Sequence, residues 1–232
     1  MVYAIQKLVQ RNNDYISLIN GNFDHYVAES LWLNEEILKA LPIFETVYRK
    51  HNHLRRKIRL TFKYLIFDVT NRSEAILVNI IKFSEHIMED FKDDYMMSCI
   101  WQVCFISEWY TDQKLALDLL EKHANLSHSI ISHIPTIVQI SLRNHQVDVV
   151  QRLLEVLMQF QIESQYCYVL MALFNYKLQQ RDLRSCSEII NWAVINNVKL
   201  PNTLHQKFLM LLLKKNEPIQ PVKSPVSTDY KF

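Results

Sequence analysis

A chain of 232 residues with one glycine, Gly21, is barred from most folds that turn tightly. Hairpins, barrels and phosphate-cradling loops draw on glycine for positive φ, and six prolines do not replace that freedom. What remains is a set of helices joined by short polar turns, so the expected class is all-α. The apolar fraction is 49%, and the longest stretch without Asp, Glu, Lys or Arg, His123–Leu142, is broken by histidines, serines and a proline, which argues against a membrane-spanning helix. Cys99, Cys104, Cys167 and Cys186 have neither C-x-x-C spacing nor the density of a disulfide scaffold. They are expected as packing thiols in a reducing compartment. The start, MVYAIQKLVQRNN, lacks a secretory signal; with Lys7, Arg11 and no acid before Asp14, it reads as a short helix or a poor organelle-targeting segment.

Laying the chain on itself at an offset of 36 aligns Val147–Ile162 with Leu183–Val198, and thirteen of sixteen pairs agree in polarity where about eight would by chance. The same pattern is anchored upstream on a small residue followed three and four positions later by larger apolar ones. The anchors are Ala40, Ala75, Ala116, Val150 and Cys186, separated by 35, 41, 34 and 36 residues. Only Asn79, four residues after Ala75, breaks the rule. A small anchor lets a neighbouring helix approach, and the i+3 and i+4 positions share its face. Each anchor segment follows a second apolar-periodic one, so the spacing predicts an α-solenoid, a right-handed superhelix of about five helix-hairpin repeats of ~35 residues with one concave face. Residues 21–215 carry this pattern. Residues 1–20 read as an N-terminal helix or half-repeat, and 216–232, with three prolines and no apolar period, as a disordered tail. Pro42 lies inside the first anchor helix, where it is expected to remove a backbone hydrogen bond and bend the helix.

Lys39–His51, KALPIFETVYRKH, is similar to the second helix of the pentatricopeptide repeat family, and Asn196–Asn202, NNVKLPN, is similar to that family's repeat end. The resemblance covers residues 21–214. It implies a mitochondrial or chloroplast protein, here taken as mitochondrial, that binds single-stranded RNA at about one base per repeat. The family's base-reading position of the first helix falls on His25, Trp101, Pro135, Met171 and Lys207, none of the Asn, Ser or Thr type the family prefers; Asn202, at a repeat end, has the expected type.

The charge pattern offers its own candidates. Tyr48–Lys63 holds seven cations, Arg49, Lys50, Arg55, Arg56, Lys57, Arg59 and Lys63, with no acid between Glu45 and Asp68. Such a cluster neutralises phosphates, and seven contacts to one strand would give a salt slope of about −5. Arg55, Arg59 and Lys63 follow an i, i+4, i+8 row that forms one stripe. The alternative is a solvated surface with long stems lying along the helix. Trp101 is the best candidate to stack on a base, the alternative being interior packing at helical spacing, and Asn202 and Lys207 are the candidate base contacts. Glu89, Asp90, Asp93 and Asp94 read as a solvated acidic joint. His123, His128 and His133 are spaced by five, which suits no zinc grouping, so neither metal nor cofactor is expected.

No nucleophile with a recognisable partner is apparent, so the chain is expected not to be an enzyme and to take no small-molecule substrate. Two functions remain. One is an RNA-binding helical-repeat protein acting in RNA stability, processing or translation. The other is a protein-interaction scaffold, or a subunit of a larger ribonucleoprotein, that uses its concave surface for a protein partner.

Overall fold

The computed structural model describes residues 23–68 and 74–213, and these are helical, with no strand among them. Helices α1 (Asp24–Leu33), α2 (Ile37–Lys50), α3 (Arg55–Asp68) and α4 (Glu74–Phe91) are followed by α5 (Tyr95–Ile106), α6 (Tyr110–Lys122), the short α7 (Leu126–Ile130) and α8 (Ile134–Arg143). Then come α9 (Val147–Gln159), α10 (Tyr166–Gln179), α11 (Leu183–Ile195) and α12 (Asn202–Leu213). The chain divides into two compact units, Met1–Ile140 and Ser141–Phe232. The readings placed on residues 1–20 and 216–232, and Gly21 itself, lie outside the described residues.

In the first unit α1 packs on α2, α4 on α5 and α5 on α6, and contacts also join helices two apart. α1, α3, α5 and α7 touch in series, and α2 touches α4. Trp32, Phe44, Phe62 and Phe83, one from each of α1 to α4, are buried in one aromatic column. The Trp32 ring meets Phe44 edge-on at 6.4 Å and Phe62 at 5.8 Å, and Phe62 lies 5.9 Å from Phe83. α5 is surrounded by α3, α4, α6 and α7, so all ten residues from Met96 to Phe105 are buried. That is why its sequence carries no charge and no polar face.

The second unit repeats itself at the offset read from the sequence. α9 begins at Val147 and ends at Gln159, while α11 begins at Leu183 and ends at Ile195, 36 residues later at both ends. The turns repeat as well. Gln146 N–H donates to Ser141 O at 2.8 Å and Asp182 N–H to Lys177 O at 3.0 Å; Ile162 N–H donates to Leu157 O at 2.9 Å and Val198 N–H to Ala193 O at 2.8 Å. These are the six-to-one bonds that close a helix C-terminus around a left-handed residue, a place usually given to glycine. Here His145, Gln161, Arg181 and Asn197 take positive φ of 60°, 55°, 59° and 55°. Each non-glycine residue in that conformation costs about 1–2 kcal/mol, offset by the carbonyls the turn satisfies.

The buried anchors are Ala40, Ala116, Val150 and Cys186. Ala75 is exposed, which corrects the second anchor: α4 buries Leu77, Ile80, Phe83 and Ile87 instead, a stripe rotated away from Ala75 and from exposed Val78. Asn79 did not interrupt a buried stripe; it lies beside one, with its amide donating to Ala75 O at 2.7 Å. Pro42 is exposed and α2 runs through it without interruption from Ile37 to Lys50. Its missing donor falls on the solvent side, and Thr46 Oγ1 donates to Pro42 O at 2.8 Å. Of the thiols, Cys99, Cys104 and Cys186 are buried and Cys167 is half-buried.

Candidate functional site

The basic segment occupies the end of α2, a 3-10 turn over Asn52–Leu54 and the start of α3. Across it lie the acids at the α4–α5 junction, so two charge runs that look independent in the sequence face each other. Arg59 pairs with Asp93 at 2.6 Å, and Asp93 also accepts the Tyr48 hydroxyl and, at 3.2 Å, the Tyr95 amide. Arg49 pairs with Glu45 at 2.8 Å and with Asp90. Arg55 donates to Tyr48 O at 3.0 Å and lies 4.2 Å over the Phe91 ring. Lys57 lies 3.8 Å over the Tyr26 ring. Burial, then the Asp93 carboxylate, pushes the Tyr48 hydroxyl up to about 12.

The Arg55–Arg59–Lys63 row is therefore not a free phosphate stripe. Two of its members bind protein groups: Arg55 stacks against α2 and α4, and Arg59 holds the junction that follows α4. Nor is the acidic joint uniformly solvated, because Asp93 is buried and Asp94 accepts from Ser129. Lys50 and Arg56 are exposed and Lys63 is half-buried. Trp101 requires a correction too. The ring is wholly buried in α5 and stacked on Phe105 at 5.0 Å, so it has no face to offer a base. Helical spacing alone does not separate a displayed ring from a packed one. Asn202 opens α12 and Lys207 follows on the same helix, both exposed; of the remaining reading positions, His25 is buried and Pro135 exposed.

Deeper in the first unit, His133 Nε2 lies 2.9 Å from Ser98 Oγ, both buried. Burial, and next the Lys63 ammonium, hold His133 below the ordinary imidazole value of 6.5. Cys99, one residue from Ser98, is pushed up to about 12 by burial, so its thiol stays protonated and is no nucleophile at neutral pH. A histidine kept neutral by the fold stabilises it above pH 6.5, and that contribution is lost as pH falls through the lowered folded value. We expect urea stability to hold from pH 8 to 7 and to fall below pH 6.5. In His133→Gln the acid slope should be shallower; an unchanged slope would remove His133 as its source.

His123 instead lies 3.4 Å from Glu85, so the evenly spaced histidines do not converge. Among the described residues no group of three or more His, Cys, Asp or Glu could hold a metal ion. Among them, too, no helix is long and apolar enough to cross a membrane.

Sequence reasoning did not mark the groove in the second unit. α9 and α11 form its walls and α10 its floor, enclosing about 430 Å³. Buried Leu154, Leu170, Leu173 and Ile189 line it, with Met158 and Trp192 at the sides. Its charged lining residues are Glu155, Glu188 and Lys177. Lys177 pairs with Asp182 at 3.3 Å, and Asp182 caps α11 by accepting from the Ser185 amide at 3.1 Å. Glu188 meets Arg184 at 3.2 Å on an open surface, where such a pair holds the carboxylate only weakly. The groove is thus apolar beneath and acidic at its edges. The repeat carries no shared signal for it, since at the 36-residue offset Glu155 matches Asn191 and Glu188 matches Arg152. Which faces meet across a cleft is not a property of one helix.

No family model, curated protein or solved structure matches the chain.

Proposed function

We infer that this chain is a helical-repeat interaction scaffold, and that its second unit binds a basic amphipathic segment of a protein partner in the groove between α9 and α11. The observation that carries this reading is the pairing of a buried aliphatic floor with Glu155 and Glu188 at the edges, both exposed. An amphipathic helix would lay its apolar face on the floor and set Lys or Arg against the carboxylates. The 36-residue recurrence of helix bounds and turns supports an α-solenoid, a class whose stacked hairpins serve as docking surfaces. The competing RNA reading rests on Lys50 and Arg56 in the first unit and on Asn202 and Lys207 in α12. It is the weaker of the two, because Arg49, Arg55 and Arg59 are already engaged by protein groups.

The test is fluorescence anisotropy with two probes, a labelled Leu/Lys amphipathic helical peptide and labelled poly-uridine RNA. We expect saturable peptide binding and little RNA binding at physiological salt. The exposed rim variant Glu155→Lys/Glu188→Lys should weaken the peptide about tenfold or more without altering the fold. Tight poly-uridine binding with a steep salt slope, and none of the peptide, would give the site to RNA instead.

A further inference from the structure

The groove of the second unit carries one side chain that helix packing does not account for. Trp192 lines it from α11, half-buried, and among the described residues no second ring or cation lies over the indole. At the 36-residue offset its counterpart on α9 is Val156, 3% exposed, and the counterpart of Glu188 is Arg152. The repeated helix is therefore served by a buried aliphatic residue at this position, and the indole exceeds what stacking needs. Of the two copies, only α11 carries Glu188 and Trp192.

Positions four apart share a helix face, so the indole and the Glu188 carboxylate are neighbours on one wall. Glu188 meets Arg184 at 3.2 Å with both side chains largely in water, 65% and 92% exposed. Such a pair gives way to an incoming cation at little cost. On the opposite wall Glu155 lies in the field of Arg152, which is part-buried and also faces Asp148, so Glu188 is the more available carboxylate. Lys177, the cation that lines the groove, is held by Asp182 at 3.3 Å. Beneath the rim lie Leu173 and Ile189, both buried.

These parts suit a guanidinium better than an ammonium. A guanidinium is planar and weakly hydrated, so it lies on an indole face while its N–H groups point outward, in the plane, to a carboxylate. An ammonium keeps a compact hydration shell, which an aliphatic floor strips without replacing.

We propose that Trp192 and Glu188 form an arginine subsite, where one guanidinium of the bound segment stacks on the indole and donates to the carboxylate, so that Trp192 selects arginine over lysine. This rests on the groove being the partner site, and it adds the side chain by which the partner is anchored there.

The test uses three labelled amphipathic helical peptides of one sequence whose cationic positions carry arginine, lysine or uncharged citrulline. Each is titrated against the full chain by fluorescence anisotropy at physiological salt. We expect the arginine peptide to bind about tenfold tighter than the lysine peptide, with citrulline weakest. Trp192→Leu keeps an apolar wall and removes the π face. It should bring the arginine peptide to the lysine level and change the lysine peptide by about twofold or less. Trp192→Phe, with a weaker π face, should keep part of the preference, and circular dichroism checks that both variants retain wild-type helicity. Equal wild-type affinity for the arginine and lysine peptides would overturn the subsite and leave the groove reading intact, a comparison that needs no variant. An arginine preference that survives Trp192→Leu would also overturn it. Binding of none of the three peptides would sink the groove reading, and the subsite with it.

Discussion

Trp101→Ala should destabilise the protein by about 3–5 kcal/mol, the range for emptying a large buried aromatic site. The indole is wholly buried in a helix surrounded by four others, and it stacks on Phe105 at an interplanar angle of 15°. None of those helices closes onto the void without moving its own contacts, so most of the cavity would persist. Urea denaturation followed by far-UV circular dichroism checks this. The outcome expected of a base-stacking tryptophan is the opposite: stability unchanged and affinity for single-stranded RNA reduced. Observing that pattern would show that the ring is displayed.

Asp93→Ala should cost about 2–3 kcal/mol, less than the 3–5 kcal/mol of a fully buried broken pair, because Arg59 retains partial access to water. The substitution removes the acceptor of Arg59 and of the Tyr48 hydroxyl together, so two donors from α2 and α3 lose one partner. Asp93→Asn keeps an acceptor oxygen in place and should cost less than Ala. Tyr48 adds a pH signature. Its value is raised from 10.0 to about 12, so the stabilisation it reports is complete below pH 10 and is lost as pH rises towards 12. Spectrophotometric titration at 295 nm, comparing the native chain with Tyr48→Phe, should lose one late-titrating tyrosine. If Asp93→Ala and Asp93→Asn are both neutral, the junction does not depend on this charge.

The same two residues mark the limits of sequence reading. The Tyr48–Lys63 cations were recognised as a cluster and the acids from Glu89 to Asp94 as another, yet their pairing was not visible. Arg59 and Asp93 are 34 residues apart, and only the packing of α3 on α5, with α4 between them in the chain, brings them together. The Ala75 anchor went wrong for a related reason. Phase along a helix is set by the face its neighbours cover, and α4 turns Leu77 and Ile80 inward instead.

The amino-acid order alone determined that the chain would be helical and that helices near its C-terminal end would recur every 36 residues. Both follow from short-range physics: the scarcity of glycine, apolar residues at helical spacing, and turns closed by bonds between residues five apart. Tertiary structure decided which charges are spent inside the fold, which aromatic rings are hidden, and which apolar faces are left open. Those depend on partners tens of residues away, and no local pattern encodes the distance between two helices that have yet to pack.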